Sequence, residues 1–133
     1  GDYSPVRLLH YDAHGKADRI MQLTGDKVVL SFENAKLDEY TGLCTLYGSA
    51  IARSRGIFTV FALTVDADMK GYSMDMRKID PEYQEYDPYV SMAPDGTAYV
   101  IIHDMRNRKK LRPVMIPFSL LEESEEDYGV DFR

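Results

Sequence analysis

No stretch of this chain keeps an apolar period of 3.6 residues for more than about two turns. From Val6 to Leu120, strand-length runs closed by turn residues follow one another instead. Gly71-Tyr-Ser-Met-Asp-Met-Arg-Lys78 alternates strictly, with Tyr72, Met74 and Met76 on one side and Ser73, Asp75 and Arg77 on the other, as a half-buried pleat requires. Ile57 to Ala67 is apolar on both sides: Ile57, Phe61, Leu63 and Val65 point one way, and Phe58, Val60 and Ala62 the other. A strand of that kind needs cover on both faces, so it belongs in the middle of a sheet. The fold class is therefore all-β, an antiparallel β-sandwich or a small β-barrel of about 8–9 strands, since either shelters most edges around one core.

The first hairpin runs from Val6 to Asp12, turns at Ala13-His14-Gly15-Lys16 and returns through Arg19, Met21 and Leu23. Thr24-Gly25-Asp26 leads into a strand over 27–33. At 35–41 the rhythm breaks, and Asn34 as N-cap, Leu37 and Tyr40 three apart, and Gly42 as a stop predict a short helix. Two long strands, 43–52 and 57–67, flank Arg53-Ser-Arg-Gly56. Further strands follow over 72–78, 89–93, 97–105 and 112–120, and Pro113 and Pro117 make the last an edge because they lack amide donors. Ser119-Leu-Leu-Glu122 matches a capping box and Gly129 a stop, predicting a second short helix near 120–128.

The 133 residues suit one domain, read as 1–121, with an acidic C-terminal tail over 122–133. Six of the 22 carboxylates, Glu122, Glu123, Glu125, Glu126, Asp127 and Asp131, fall in that tail, so the net charge of -6 says little about the body. The single cysteine, Cys44, rules out an intrachain disulfide and leaves the compartment open, exported or cytoplasmic. A start at Gly1 in place of Met suggests a tag residue or a trimmed leader. The longest apolar run, Ile57 to Val65, has about half the length of a membrane-spanning helix.

No intact catalytic or metal motif appears, and neither a cofactor nor a metal is expected. His10-Tyr-Asp-Ala-His14 offers two imidazoles and a carboxylate without a fourth ligand, and reads as a strand end. Asp66-Ala-Asp-Met-Lys-Gly71 opens like a calcium loop but has Lys70 at its fifth position and Arg77 at its twelfth, so it reads as a hairpin turn. Cys44 would need His10 or His103 as a base, and beside Leu43 and Leu46 it reads as core. Ser49 and Ser91 lack a nucleophile elbow.

Two loops carry recognition chemistry. Residues 79–89 hold Tyr83, Tyr86 and Tyr89 among prolines and carboxylates, and tyrosine gives broad amphipathic contact area suited to protein surfaces or sugars. Arg106, Arg108, Lys109, Lys110 and Arg112 make a basic hairpin tip without interleaved aromatics, so nucleic acid is not expected. The acidic tail could fold back onto that tip. Tyr11-Asp-Ala-His-Gly-Lys-Ala-Asp-Arg-Ile20 resembles a single tyrosine-aspartate repeat of large exported shell proteins; it covers ten residues, does not recur, and carries no activity over. The expectation is a non-enzymatic binding or interaction module recognising a protein or carbohydrate through surface loops. The alternatives are a lipocalin-like barrel holding a small apolar ligand, with Met74, Met76, Met92, Met105 and Met115 as adaptable lining, and a hydrolase with a His/Asp/Cys site.

Overall fold

Strand pairing accounts for nearly all the regular structure. The computed structural model describes residues 6–25, 28–52, 57–80, 88–104, 112–125 and 130–132. These contain strands β1 (Val6–Tyr11), β2 (Ala17–Gly25), β3 (Val28–Leu37), β4 (Cys44–Ala52), β5 (Ile57–Val65), β6 (Tyr72–Lys78), β7 (Tyr89–Met92), β8 (Ala98–Asp104), β9 (Arg112–Pro117) and β10 (Val130–Phe132). They form three antiparallel sheets in the orders β1-β2-β10, β3-β4-β5-β6 and β7-β8-β9. The all-β antiparallel class read from the sequence is the class of the fold.

The two apolar faces of β5 explain the layering. Phe61, Leu63 and Val65 pack with Met21 of β2, Ala50 of β4 and Met76 of β6, so one three-stranded sheet covers this face of the central sheet. Val60 and Ala62 pack with Val90, Ala98, Val100 and Ile102, so the β7-β8-β9 sheet covers the other. The described residues thus form two cores, one on each side of β5. On the first, the Phe32 and Phe61 rings meet edge to face with centroids 5.1 Å apart. β9 is the outer strand of its sheet, as its prolines require.

Among the described residues neither expected helix forms. Residues 34–37 continue β3, paired with 44–47 of β4, after a bulge between Phe32 and Asn34. A helix of about two turns is marginal alone, whereas the ladder satisfies every second backbone group and uses Leu37 in pairing with Cys44. The turn that follows is held by Asp38, whose carboxylate accepts from the Tyr40 and Thr41 N–H groups. Gly42 ends this turn at φ 72, where a Cβ would also lie 2.8 Å from that of Ala67. At the other site only Phe118–Leu120 is helical, one 3-10 turn with no side-chain cap. Beyond it the chain lies along β6: the Lys78 N–H donates to the Glu122 carbonyl and the Ser124 N–H to the Met76 carbonyl. Those bonds take the backbone groups a helix would need.

Arg77 fastens this strap. Its guanidinium donates twice to the Asp75 carboxylate, at 2.9 and 3.0 Å, and once to the Leu121 carbonyl at 2.7 Å. It also lies 5.4 Å from the centroid of the Phe118 ring, and its side chain is only 15% exposed. Lysine cannot reproduce this planar fork. Arg77→Lys is therefore expected to cost about 2 kcal/mol and to speed amide exchange at Lys78 and Ser124 by about tenfold, read by hydrogen-exchange NMR. Unchanged exchange at both amides would show that the strap holds without the guanidinium.

Candidate functional site: an apolar groove beside β1

A half-open groove of about 450 Å³ runs between β1 and the neighbouring ends of β3, β4 and β5. Leu8, Leu9 and His10 of β1 form one wall. Leu37 and Gly42 from the β3–β4 turn form the next, with Cys44 and Leu46 from β4. Val65, Asp66, Ala67 and Met69, from the end of β5 and its turn, close it. Local chemistry explains why apolar groups collect here. β1 contains two adjacent leucines, and successive residues of a strand face opposite sides, so Leu8 packs on the first core while Leu9 stays 47% exposed. Leu37, at the end of β3, is 66% exposed, and Tyr40 beside it is 99% exposed.

The polar groups around the groove are largely engaged. Asp66 accepts from the Lys70 and Gly71 N–H groups and shapes the β5–β6 turn. That turn puts Met69 at φ 57, the only non-glycine residue with positive φ among the described residues. The His10 Nδ1 meets the Asp18 carboxylate at 2.6 Å, and this bond holds Asp18 below the ordinary carboxylate range. Asp12 accepts from the N–H groups of His14 and Lys16 in its own turn. Among the described residues no three His, Cys, Asp or Glu side chains gather as a metal-holding group. Burial pushes the Cys44 thiol up, the opposite of what an attacking thiolate needs. His103 belongs to β8, on the sheet that packs against the other face of the central sheet. Among the described residues His10 is the histidine that lines the groove with Cys44.

A second polar constellation joins two sheets. The β3 bulge turns Glu33 and Asn34 toward β7, where the Glu33 carboxylate accepts the Val90 N–H and the Asn34 amide donates to the Val90 carbonyl. Ser49 Oγ donates to Glu33 at 3.0 Å. Burial outweighs these bonds and raises the Glu33 carboxyl.

Of the residues expected to meet a partner, Tyr83, Tyr86, Arg106, Arg108, Lys109 and Lys110 lie outside the described residues. Tyr89 opens β7 opposite Ile101, and Arg112 opens β9 opposite Asp104, so they flank β8 on a different sheet from the groove wall of β1. The basic tip as a dock for the acidic tail likewise lies outside the described residues; Glu122 and Glu123 approach Lys78 and Arg77 of β6. Among the described residues no helix is long and apolar enough to cross a membrane.

Comparisons with protein-family models, with curated proteins and with solved structures found no match to this chain. The reading of the groove therefore rests on its own chemistry. Its walls come from three separated segments, so no local pattern marks it. Two signals were present: the Leu8-Leu9 pair, one of which a strand must expose, and a methionine at 69 in a turn position that glycine usually takes.

Proposed function

We propose that this chain is a non-enzymatic binding module that takes an apolar segment of a protein partner in the groove beside β1. The observation that carries the reading is Met69. A left-handed backbone costs an L-residue about 1 kcal/mol and costs glycine nothing, yet the position holds a side chain that lines the groove. Strain kept at a ligand-facing position favours function over stability. The exposed rim of Leu9, Leu37 and Tyr40 extends the apolar surface past the groove, as a macromolecular contact requires. Among the described residues the lining holds no Phe, Tyr or Trp, so it offers a sugar no such stacking platform. A volume of about 450 Å³ also suits a small molecule, which keeps a carried apolar ligand as the second reading. The raised Cys44 thiol speaks against the hydrolase.

Cys44 is the only thiol and lines the groove, so its alkylation reports occupancy. With its thiol pushed up by burial, iodoacetamide labelling should be slow at pH 7 and accelerate as the pH rises through and beyond the ordinary thiol value of 9.0. The apolar dye anilinonaphthalene sulfonate should bind with raised emission and slow the labelling. Leu37→Glu and Met69→Gly should each weaken the dye by about tenfold with circular dichroism unchanged. Dye binding that leaves Cys44 labelling untouched and ignores both substitutions would sink the reading. A small molecule retained at one per chain in native mass spectrometry would favour the carrier.

A further inference from the structure

We propose that the partner segment binds as an added β-strand along the outer edge of β1, as an extended apolar peptide bearing a carboxylate opposite Arg7; this rests on the groove reading above. Among the described residues three open sheets have six edges, and five of these are blunted. β6 is hydrogen-bonded by residues 122–124, and β7 by the side chains of Glu33 and Asn34. β3 carries the bulge at that contact and an exposed Lys36. β9 contains Pro113 and Pro117, and β10 has only three residues. β1 has six residues, no proline, an unbroken register from Val6 to His10, and no partner on its outer edge among the described residues.

The groove lies along that edge. Side chains of successive strand residues point to opposite faces, so a groove lined by Leu8, Leu9 and His10 in succession must run past the backbone between them. A strand laid there would satisfy the free N–H and C=O groups while alternate side chains enter the apolar walls. Six residues give an edge of about 20 Å. That length fits a peptide strand. Charge narrows the sequence. Arg7 is exposed and has no ion pair among the described residues, whereas Asp18 is held by His10. An apolar segment with an acidic residue in register with Arg7 meets both features.

The test is selection of linear decapeptides from a random displayed library on the full chain, followed by N-methylation of each backbone amide of the best binder. Binding should fall at least tenfold when alternate amides are methylated and stay unchanged at the intervening ones. Arg7→Glu should cut affinity about tenfold and shift preference to the peptide whose carboxylate is replaced by lysine. Binders lost in Leu37→Glu but insensitive to N-methylation would overturn strand addition and leave the groove reading standing. Binders indifferent to Leu37→Glu would overturn both. A concentration-dependent dimer abolished by Leu9→Lys would also overturn the proposal, by making a second copy the occupant. Leu37, Leu9 and Arg7 are exposed, so these variants fold, and circular dichroism checks that they do.

Discussion

Gly48→Ala is expected to lower the melting temperature by roughly 10 °C, a loss of about 3 kcal/mol or more, measured by calorimetry against the parent chain. Gly48 sits in β4 opposite Phe32, at the start of the β3 bulge. A Cβ there would collide with the Ser31 carbonyl oxygen and lie 2.9 Å from Cζ of Phe61. A flexible side chain can move aside, but a backbone carbonyl in a paired strand moves only if β3 and β4 separate. The ring contact compounds the cost, because Phe61 is fully buried and packs edge-on against Phe32. A fall of less than about 3 °C would mean that β3 shifts freely at its bulge, and the account of the first core would fail.

The second large effect concerns Glu33. Glu33→Ala should cost about 2 kcal/mol, because it leaves the Val90 N–H without an acceptor and reopens the edge of β7. Glu33→Gln keeps an acceptor for Val90 and can donate to Ser49, so it should be close to neutral at pH 7. The pH dependence separates these effects. Burial raises the Glu33 carboxyl above its ordinary value of 4.5, so between that value and the raised one the folded state binds more protons than the unfolded state. Stability from this group is full below pH 4.5 and is lost as the pH rises through the raised value. Urea melts from pH 4 upward should show this decline in the parent chain and not in Glu33→Gln. Parallel curves for the two would remove Glu33 as its source.

Local pattern carried much of the fold and little of the site. The doubly apolar β5, the turn at 13–16 and the prolines of β9 each express a constraint contained in a few adjacent residues, and each is realised. Alternation fixes which side chains share a face, but it is silent about which sheet covers that face, so the three layers were out of reach. Asn34 shows a further limit. Its spacing to Leu37 and Gly42 is that of a helix start, yet its amide bonds a carbonyl 56 residues away and its backbone joins the β4 ladder. Long-range partners outweigh a marginal local preference. The groove was hidden for the same reason, since Leu8, Leu37 and Met69 become neighbours only when β1 and the β3–β5 ends are assembled. The apolar rim shows in the sequence only as a leucine pair on a short strand.

The sheet order β1-β2-β10 bears on how the chain emerges from the ribosome. β2 pairs through Leu23, Thr24 and Gly25 with Val130–Phe132, which are synthesised about a hundred residues later. At roughly 5–20 residues per second, that is a delay of ~5–20 s. During this time the β1–β2 hairpin can form, but the far side of β2 has no mate and Met21 and Leu23 have no finished core to enter. The nascent chain therefore carries a bare strand edge beside apolar side chains until its C-terminal segment arrives. A chaperone that shields extended apolar segments would find its substrate in this interval, and slow decoding between β2 and β10 would lengthen the exposure.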